Sequence, residues 1–243
     1  MFKFNLILFF VVLSLADVAF SQNMKEDIRK VNLVYDKNDK ISMDIIYNAY
    51  ETYESSRIAD TYVGSMKRNG KNYYSKILDI ETVYTDKYAL VINKEKKQLI
   101  VNNPIKFNNS NVTMVDVDES FNSYSEVKEK TETATQKVYY FKVKKNIITN
   151  VSAFDIYINK ETFFVEKAVI YYAHELKSNP NDANEKYKKP RLEIVFNNIN
   201  INPTFEAGFF DYNSYITAKG TEFKLTDTYK DYNLSNQVFN LKK

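Results

Sequence analysis

Residues 62–84 read YVGSMKRNGKNYYSKILDIETVY, two runs that flank the dipeptide Asn69-Gly70. Tolerance of positive φ at that dipeptide predicts a tight type I′ hairpin with arms at 62–68 and 71–84. Upstream, Ile41, Met43, Ile45, Tyr47 and Ala49 alternate with Ser42, Asp44 and Asn48, the period-two pattern of a strand with one wet face. Downstream, 88–92 and 98–102 form the next pair of strands around the charged turn Asn93-Lys94-Glu95-Lys96-Lys97. Strands resume at 138–144, 151–158, 163–173 and 191–199, the middle two joined by Asn159-Lys160-Glu161-Thr162. The stretch 177–190 is a long polar connection.

Two segments depart from this period. Met24, Ile28, Val31 and Tyr35 recur at helical spacing and predict a short amphipathic helix just ahead of the first strand. In the polar stretch 103–136, Phe121, Tyr124 and Val127 predict one exposed helix over 119–130. Short turns between most strands imply an antiparallel meander rather than a β-α-β nucleotide-binding sheet. The expected fold is therefore mainly β (α+β), in one domain. One sheet face must be covered, and its candidates are Tyr139, Phe141 and Val143; Phe154, Ile156 and Ile158; Phe164, Ala168, Ile170 and Tyr172; and Leu192, Ile194 and Phe196. The one early helix is too small to cover so many, so the sheet either curls on itself or leaves an apolar hollow.

Composition narrows the chemistry. With 34 Lys+Arg against 31 Asp+Glu the net charge is only +3, which argues against a nucleic-acid binder. Four Gly, four Pro, one His and no Cys exclude thiolate zinc sites, iron-sulfur clusters, thiol catalysis, disulfides and a glycine-rich phosphate loop. No cofactor or metal is expected. His174, the one histidine, adjoins Glu175 in a polar segment and reads as solvated. Asp116, Asp118 and Glu119 lack the glycine and distal glutamate of an EF-hand loop. Asp79 with Glu81, and Asp155 with Glu166, read as wet-face residues of half-buried strands rather than acid/base pairs.

The first 21 residues place Lys3 ahead of an apolar stretch from Leu6 to Leu15, then Asp17 and Ala19-Phe20-Ser21. This is the layout of a secretory signal cleaved after Ser21. The apolar stretch falls short of the roughly 20 residues that span a bilayer. Removal of Lys3 and Asp17 leaves the net charge at +3. Without a Cys there is no acylation site for a bacterial lipoprotein. Export, absence of disulfides and a high Lys, Asn, Ile and Tyr content suit the periplasm, with no transmembrane segment in the mature chain.

This succession resembles the LolA/LolB-like family of periplasmic lipoprotein carriers. The likeness rests first on 64–68, 73–78 and 87–101, which look like a glycine-bearing strand at Gly64, the next strand, and a strand-turn-strand with a charged turn. Its second part is 154–168 and 191–202, ending at Phe205 and Phe209-Phe210, which looks like closing strands and a phenylalanine-bearing end. Together they cover about two thirds of the mature chain. The resemblance implies a curved antiparallel sheet, or incomplete barrel, with an N-terminal amphipathic helix and a concave face for acyl chains of lipids or lipoproteins. It implies no catalysis. On that face the ligand-contacting residues would be Phe141, Phe154, Ile156, Ile170, Leu192, Ile194 and Phe196. The family's usual arginine of the second strand has no clear match, Lys76 being the nearest cation. Residues 22–214 would form the half-barrel and 215–243 an extension. That extension could pair as an edge strand, or reach a partner in an outer-membrane or envelope complex through Tyr229, Tyr232 and Leu234. An interaction subunit of an assembly, secretion or motility machine is the rival to the carrier.

Overall fold

The computed structural model describes residues 23–104, 123–145, 149–175, 188–220 and 222–238. The expected export signal, Phe121, Asp116, Asp118, Glu119 and most of the 177–190 connection lie outside them. The chain divides into two compact units: the first draws on the described parts of 1–37, 48–60 and 109–195, the second on those of 38–47, 61–108 and 196–243.

Helix α1, residues 23–37, opens the first unit. Its stripe of Met24, Ile28, Val31 and Tyr35 is buried, as the spacing predicted. Strands follow as β1 (Lys40–Tyr50), β2 (Asp60–Asn69), β3 (Asn72–Ile77), β4 (Ile80–Tyr84), β5 (Ala89–Asn93), β6 (Gln98–Asn102), β7 (Tyr124–Glu132), β8 (Gln136–Val143), β9 (Val151–Asn159), β10 (Val165–Tyr172), β11 (Arg191–Asn200), β12 (Ile216–Lys219), β13 (Glu222–Leu225) and β14 (Asn233–Gln237). Among the described residues twelve of them hydrogen-bond in the order β14-β6-β5-β4-β3-β2-β1-β11-β10-β9-β8-β7, and β12 pairs with β13 separately. Both ends of that row are open, so the sheet does not close into a barrel. The sheet is mixed rather than purely antiparallel, because β14 runs parallel to β6.

Three local expectations are corrected. The 62–84 hairpin has Gly70-Lys71 as its two-residue loop, since Asn69 pairs with Asn72. Of these residues Gly70 alone has positive φ, at 58°, the pattern of a II′ turn rather than I′. The arm 71–84 is two strands, broken where Leu78 takes a left-handed φ of 52°. Residues 124–132 are strand β7, not helix. There Tyr124 packs its ring on Phe141 and Phe154 at 5.2 and 5.5 Å, and Val127 pairs opposite Phe141. Tertiary pairing overrides the local helical preference of a Glu- and Lys-rich segment.

The wet-face assignment of two carboxylates is corrected as well. Asp155 and Glu81 are buried, each carrying a lysine from a neighbouring segment: Lys130 at 2.9 Å and Lys94 at 2.6 Å. Glu81 lies on the face of the second unit that the C-terminal segment covers. That segment packs Phe210, Tyr215 and Ile216 against Tyr74, Val83, Leu90, Ile92, Leu99 and Val101, with Tyr229, Tyr232 and Leu234 partly buried on the same cluster. Pairing at the edge, the first alternative for the extension, is thus what β14 does. The three residues put forward as a partner contact belong to this packing and do not form a free tail.

Gly64 is required by close approach. A Cβ there would lie 2.6 Å from the Lys76 carbonyl oxygen and 3.2 Å from the Tyr47 ring. The carbonyl is held in the β2–β3 ladder, where Gly64 faces Ile77, so it cannot retreat without breaking pairing. Gly64→Ala is expected to cost about 1 to 3 kcal/mol, seen as a lower urea midpoint. An unchanged midpoint would contradict this packing.

Candidate functional site: an apolar face and a tyrosine cleft

Six of the seven predicted ligand-contacting residues fall into two cross-strand rows of the first unit. Phe141, Phe154, Ile170 and Leu192 stand directly opposite one another along β8, β9, β10 and β11. Tyr139, Ile156, Ala168 and Ile194 form the next row. Directly paired residues share a face, and so do residues two apart on a strand. Phe196, two residues beyond Ile194 on β11, is assigned to the second unit.

Burial is graded along these rows. Phe141, Phe154 and Ile156 are 0, 5 and 1% exposed, and the two phenylalanine rings stack at 4.8 Å. Ile170 is also buried, whereas Leu192, Ile194 and Phe196 are only half-buried. The β8–β9 end is packed core; the β11 end is accessible.

Helix α1 meets the same face through aromatic and polar contacts. Tyr35 meets Phe164 edge-on at 5.2 Å, and the Lys30 ammonium lies 5.2 Å from the Phe163 ring centre. Buried Asp27 accepts from the Tyr139 hydroxyl at 2.5 Å and from Lys137 at 2.7 Å, with Lys30 at 3.9 Å. Burial, then hydrogen bonding to Asp27, raises the Tyr139 hydroxyl above its ordinary range. Lys137 is raised chiefly by its hydrogen bond to Asp27.

Sequence reading missed two features. Arg68 is a buried cation on β2 that donates to the Asn38 carbonyl. The alternation Gly64, Met66, Arg68 could have placed it on the buried side, since Gly64 and Met66 are buried as well. Lys76, the cation nominated instead, is exposed.

The second feature is a cleft of about 450 Å³ on the other face of the first unit, lined by Tyr53, Tyr140, Lys142, Ser152, Ala153, Tyr171, Ala173 and Lys189. Burial, then hydrogen bonding to Asp155, raises Tyr171. Polar residues on strands read as surface, and no local pattern distinguishes surface from this cleft. His174 is exposed. Among the described residues no group of three His, Cys, Asp or Glu could hold a metal, and no helix is long and apolar enough to cross a membrane.

No family model matches the chain, and no curated protein matches it. Among solved structures, an uncharacterized conserved protein from Thermus thermophilus is similar over 88% of this chain and 99% of that one, at 10% identity and a TM-score of 0.49. A putative outer membrane lipoprotein-sorting protein domain from Vibrio parahaemolyticus is similar over 78% of this chain and 96% of that one, at 9% identity and a TM-score of 0.38. A LolA superfamily protein from Nitrosomonas europaea is similar over 74% and 96% of the two chains, at 9% identity and a TM-score of 0.32. At such identities the likeness concerns fold alone. Among the described residues the chain is an open mixed sheet with one amphipathic helix.

Proposed function

We propose that the protein is an exported, non-catalytic binding protein that shields an acyl chain of a lipid or lipoprotein against the apolar face of β8–β11, as a carrier working in the periplasm. The observation that carries this reading is the gradient along the two rows. Apolar side chains continue across four strands past the buried core to Leu192 and Ile194, which remain accessible. An acyl chain laid there would gain about 25 cal/mol per Å² of apolar surface removed from water. Residues 1–21 supply the expected export signal.

Two variants test it. Ile194→Glu is expected to abolish capture of a fluorescent fatty acid with little loss of melting temperature, because Ile194 is half-buried. Ile156→Ala is expected to cost about 2 to 5 kcal/mol, the usual range for a packed core isoleucine, and Ile194→Ala well under half of that. No capture by the unmodified protein, or full capture by folded Ile194→Glu, would overturn the carrier reading.

The closed packing of Phe141, Phe154 and Ile156 favours a second reading, an interaction subunit of an envelope complex with a filled core. Native mass spectrometry of protein taken from its own cells separates the two, by a lipid adduct or by a reproducible protein partner.

A further inference from the structure

The tyrosine cleft of the first unit is used by neither reading. Its volume, about 450 Å³, lies in the range of roughly 300 to 1,000 Å³ common to small-ligand sites. Ser152, Ala153 and Ala173 are small and leave space among the rings of Tyr53, Tyr140 and Tyr171.

The cleft is held in place by bonds that serve no apolar core. Tyr53 belongs to the connection between β1 and β2, which is tied down by Lys188 to Glu51, by Arg191 to the Ser55 carbonyl at 2.8 Å and by Ala59 N–H to the Ala49 carbonyl at 2.8 Å. The Tyr53 hydroxyl donates to the Tyr172 carbonyl. The Ser152 hydroxyl donates to the Tyr171 carbonyl at 2.9 Å, and the Tyr53 and Ser152 hydroxyl oxygens lie 2.9 Å apart. Tyr53 and Tyr171 meet edge-on at 5.1 Å. Beneath them Asp155, 1% exposed, accepts from the Tyr171 hydroxyl at 2.8 Å and from Lys130 at 2.9 Å. Its second oxygen, Oδ1, is buried with no hydrogen-bond partner.

Charge at the opening selects the ligand. The Lys142 and Lys189 side chains are each 52% exposed, and among the described residues their ion pairs are long, 3.9 Å to Glu126 and 4.0 Å to Glu175. Pairs so long and so solvated are weak, which leaves both ammoniums able to turn to an incoming anion. A quaternary ammonium would suit a tyrosine cage but meets two cations here. A purely apolar ligand would strip water from hydroxyls and ammoniums without replacing their hydrogen bonds. Inorganic phosphate would leave the rings unused. A sugar acid satisfies all three demands: an apolar ring face for tyrosine, hydroxyls for the Tyr and Ser oxygens, and a carboxylate for the lysines.

We propose that the cleft among Tyr53, Tyr140 and Tyr171 binds an acidic sugar ring, its carboxylate paired with Lys142 and Lys189. The test uses the full mature chain with its alanine methyl groups isotopically labelled, titrated with a glucuronate-containing disaccharide and with its neutral glucose counterpart. The Ala153 and Ala173 methyl signals are expected to shift with the acidic probe, at a Kd at least ten-fold below that for the neutral one. The Lys142→Glu, Lys189→Glu double variant, altered only at exposed positions, is expected to lose that preference; Lys142→Gln, Lys189→Gln gives the same reading without charge reversal. No shift at Ala153 and Ala173, equal affinity for the two probes, tighter binding of benzoate than of the uronate, or full preference retained in both double variants would overturn the proposal.

Discussion

Asp27→Ala is expected to destabilise the protein by about 3 to 5 kcal/mol, the usual cost of removing one partner from a buried ion pair. The Asp27 carboxylate is the acceptor for the Tyr139 hydroxyl at 2.5 Å and the Lys137 ammonium at 2.7 Å. Tyr139 is fully buried and would keep an unsatisfied hydroxyl, worth about 1 to 3 kcal/mol by itself. Lys137, with its side chain 24% exposed, can turn only partly to water. A lower urea midpoint with an unchanged m-value is the expected result. The Asp27→Ala, Lys137→Ala cycle should return a coupling of about 0.5 to 3 kcal/mol. A loss under about 0.5 kcal/mol, the size usual for a surface substitution, would mean that the helix is held by its apolar stripe alone.

Raising the pH above 10 is expected to unfold the protein cooperatively. Tyr74, Tyr139 and Tyr215 are buried, and burial is the leading cause that raises each of them above the ordinary tyrosine value of 10.0. Tyr215 is pushed up to about 12. The carboxylates of Glu81 and Asp27 add to the rise of Tyr74 and Tyr139 respectively. In the unfolded chain these phenols ionise near 10. Above that pH the unfolded state has released protons that the folded state still binds, so stability falls as pH rises. Their contribution is whole below pH 10 and is lost on the way up to the folded-state values. Each group costs about 1.4 kcal/mol per pH unit, and three together about 4. At that slope roughly 8 kcal/mol is lost between pH 10 and 12, enough to bring a fold in the lower half of the usual range of about 5 to 15 kcal/mol to its midpoint above about pH 11. Tyrosinate absorbance and circular dichroism are expected to change together in one transition. Gradual ionisation centred at pH 10 with the dichroism intact would show that these rings are accessible to solvent.

Much of this architecture was readable along the chain. The spacing of Met24, Ile28, Val31 and Tyr35 specified the buried stripe of α1, and alternation in 138–144, 151–158, 163–173 and 191–199 put Phe141, Phe154, Ile156, Ile170, Leu192 and Ile194 on one face. Such patterns survive folding because side-chain direction is a local property of the backbone, with a period of 3.6 in a helix and 2 in a strand. Where competing local preferences were close, local reading failed. The Glu- and Lys-rich 124–132 segment accommodates a helix as well as a strand, and only the partners Phe141 and Phe154 decide for β7. The break at Leu78 carries no Gly, Pro or Asn to announce it.

Sequence by itself determined the element types with strong periods, the membership of the apolar rows and the exclusions that follow from having no Cys and one His. Tertiary structure alone decided which faces are covered and by what. Glu81 reads as wet because it is charged, yet it shares the Val83 face of β4, which a segment more than a hundred residues later in the chain covers. Asp155 is buried because Tyr171 and Lys130, on two other strands, close over it. The same holds for the gradient from Phe141 to Ile194, six apolar residues alike in pattern and unlike in exposure. A strand's own sequence sets which way a side chain points; how much water remains there depends on segments brought from far along the chain, whose placement no local period encodes.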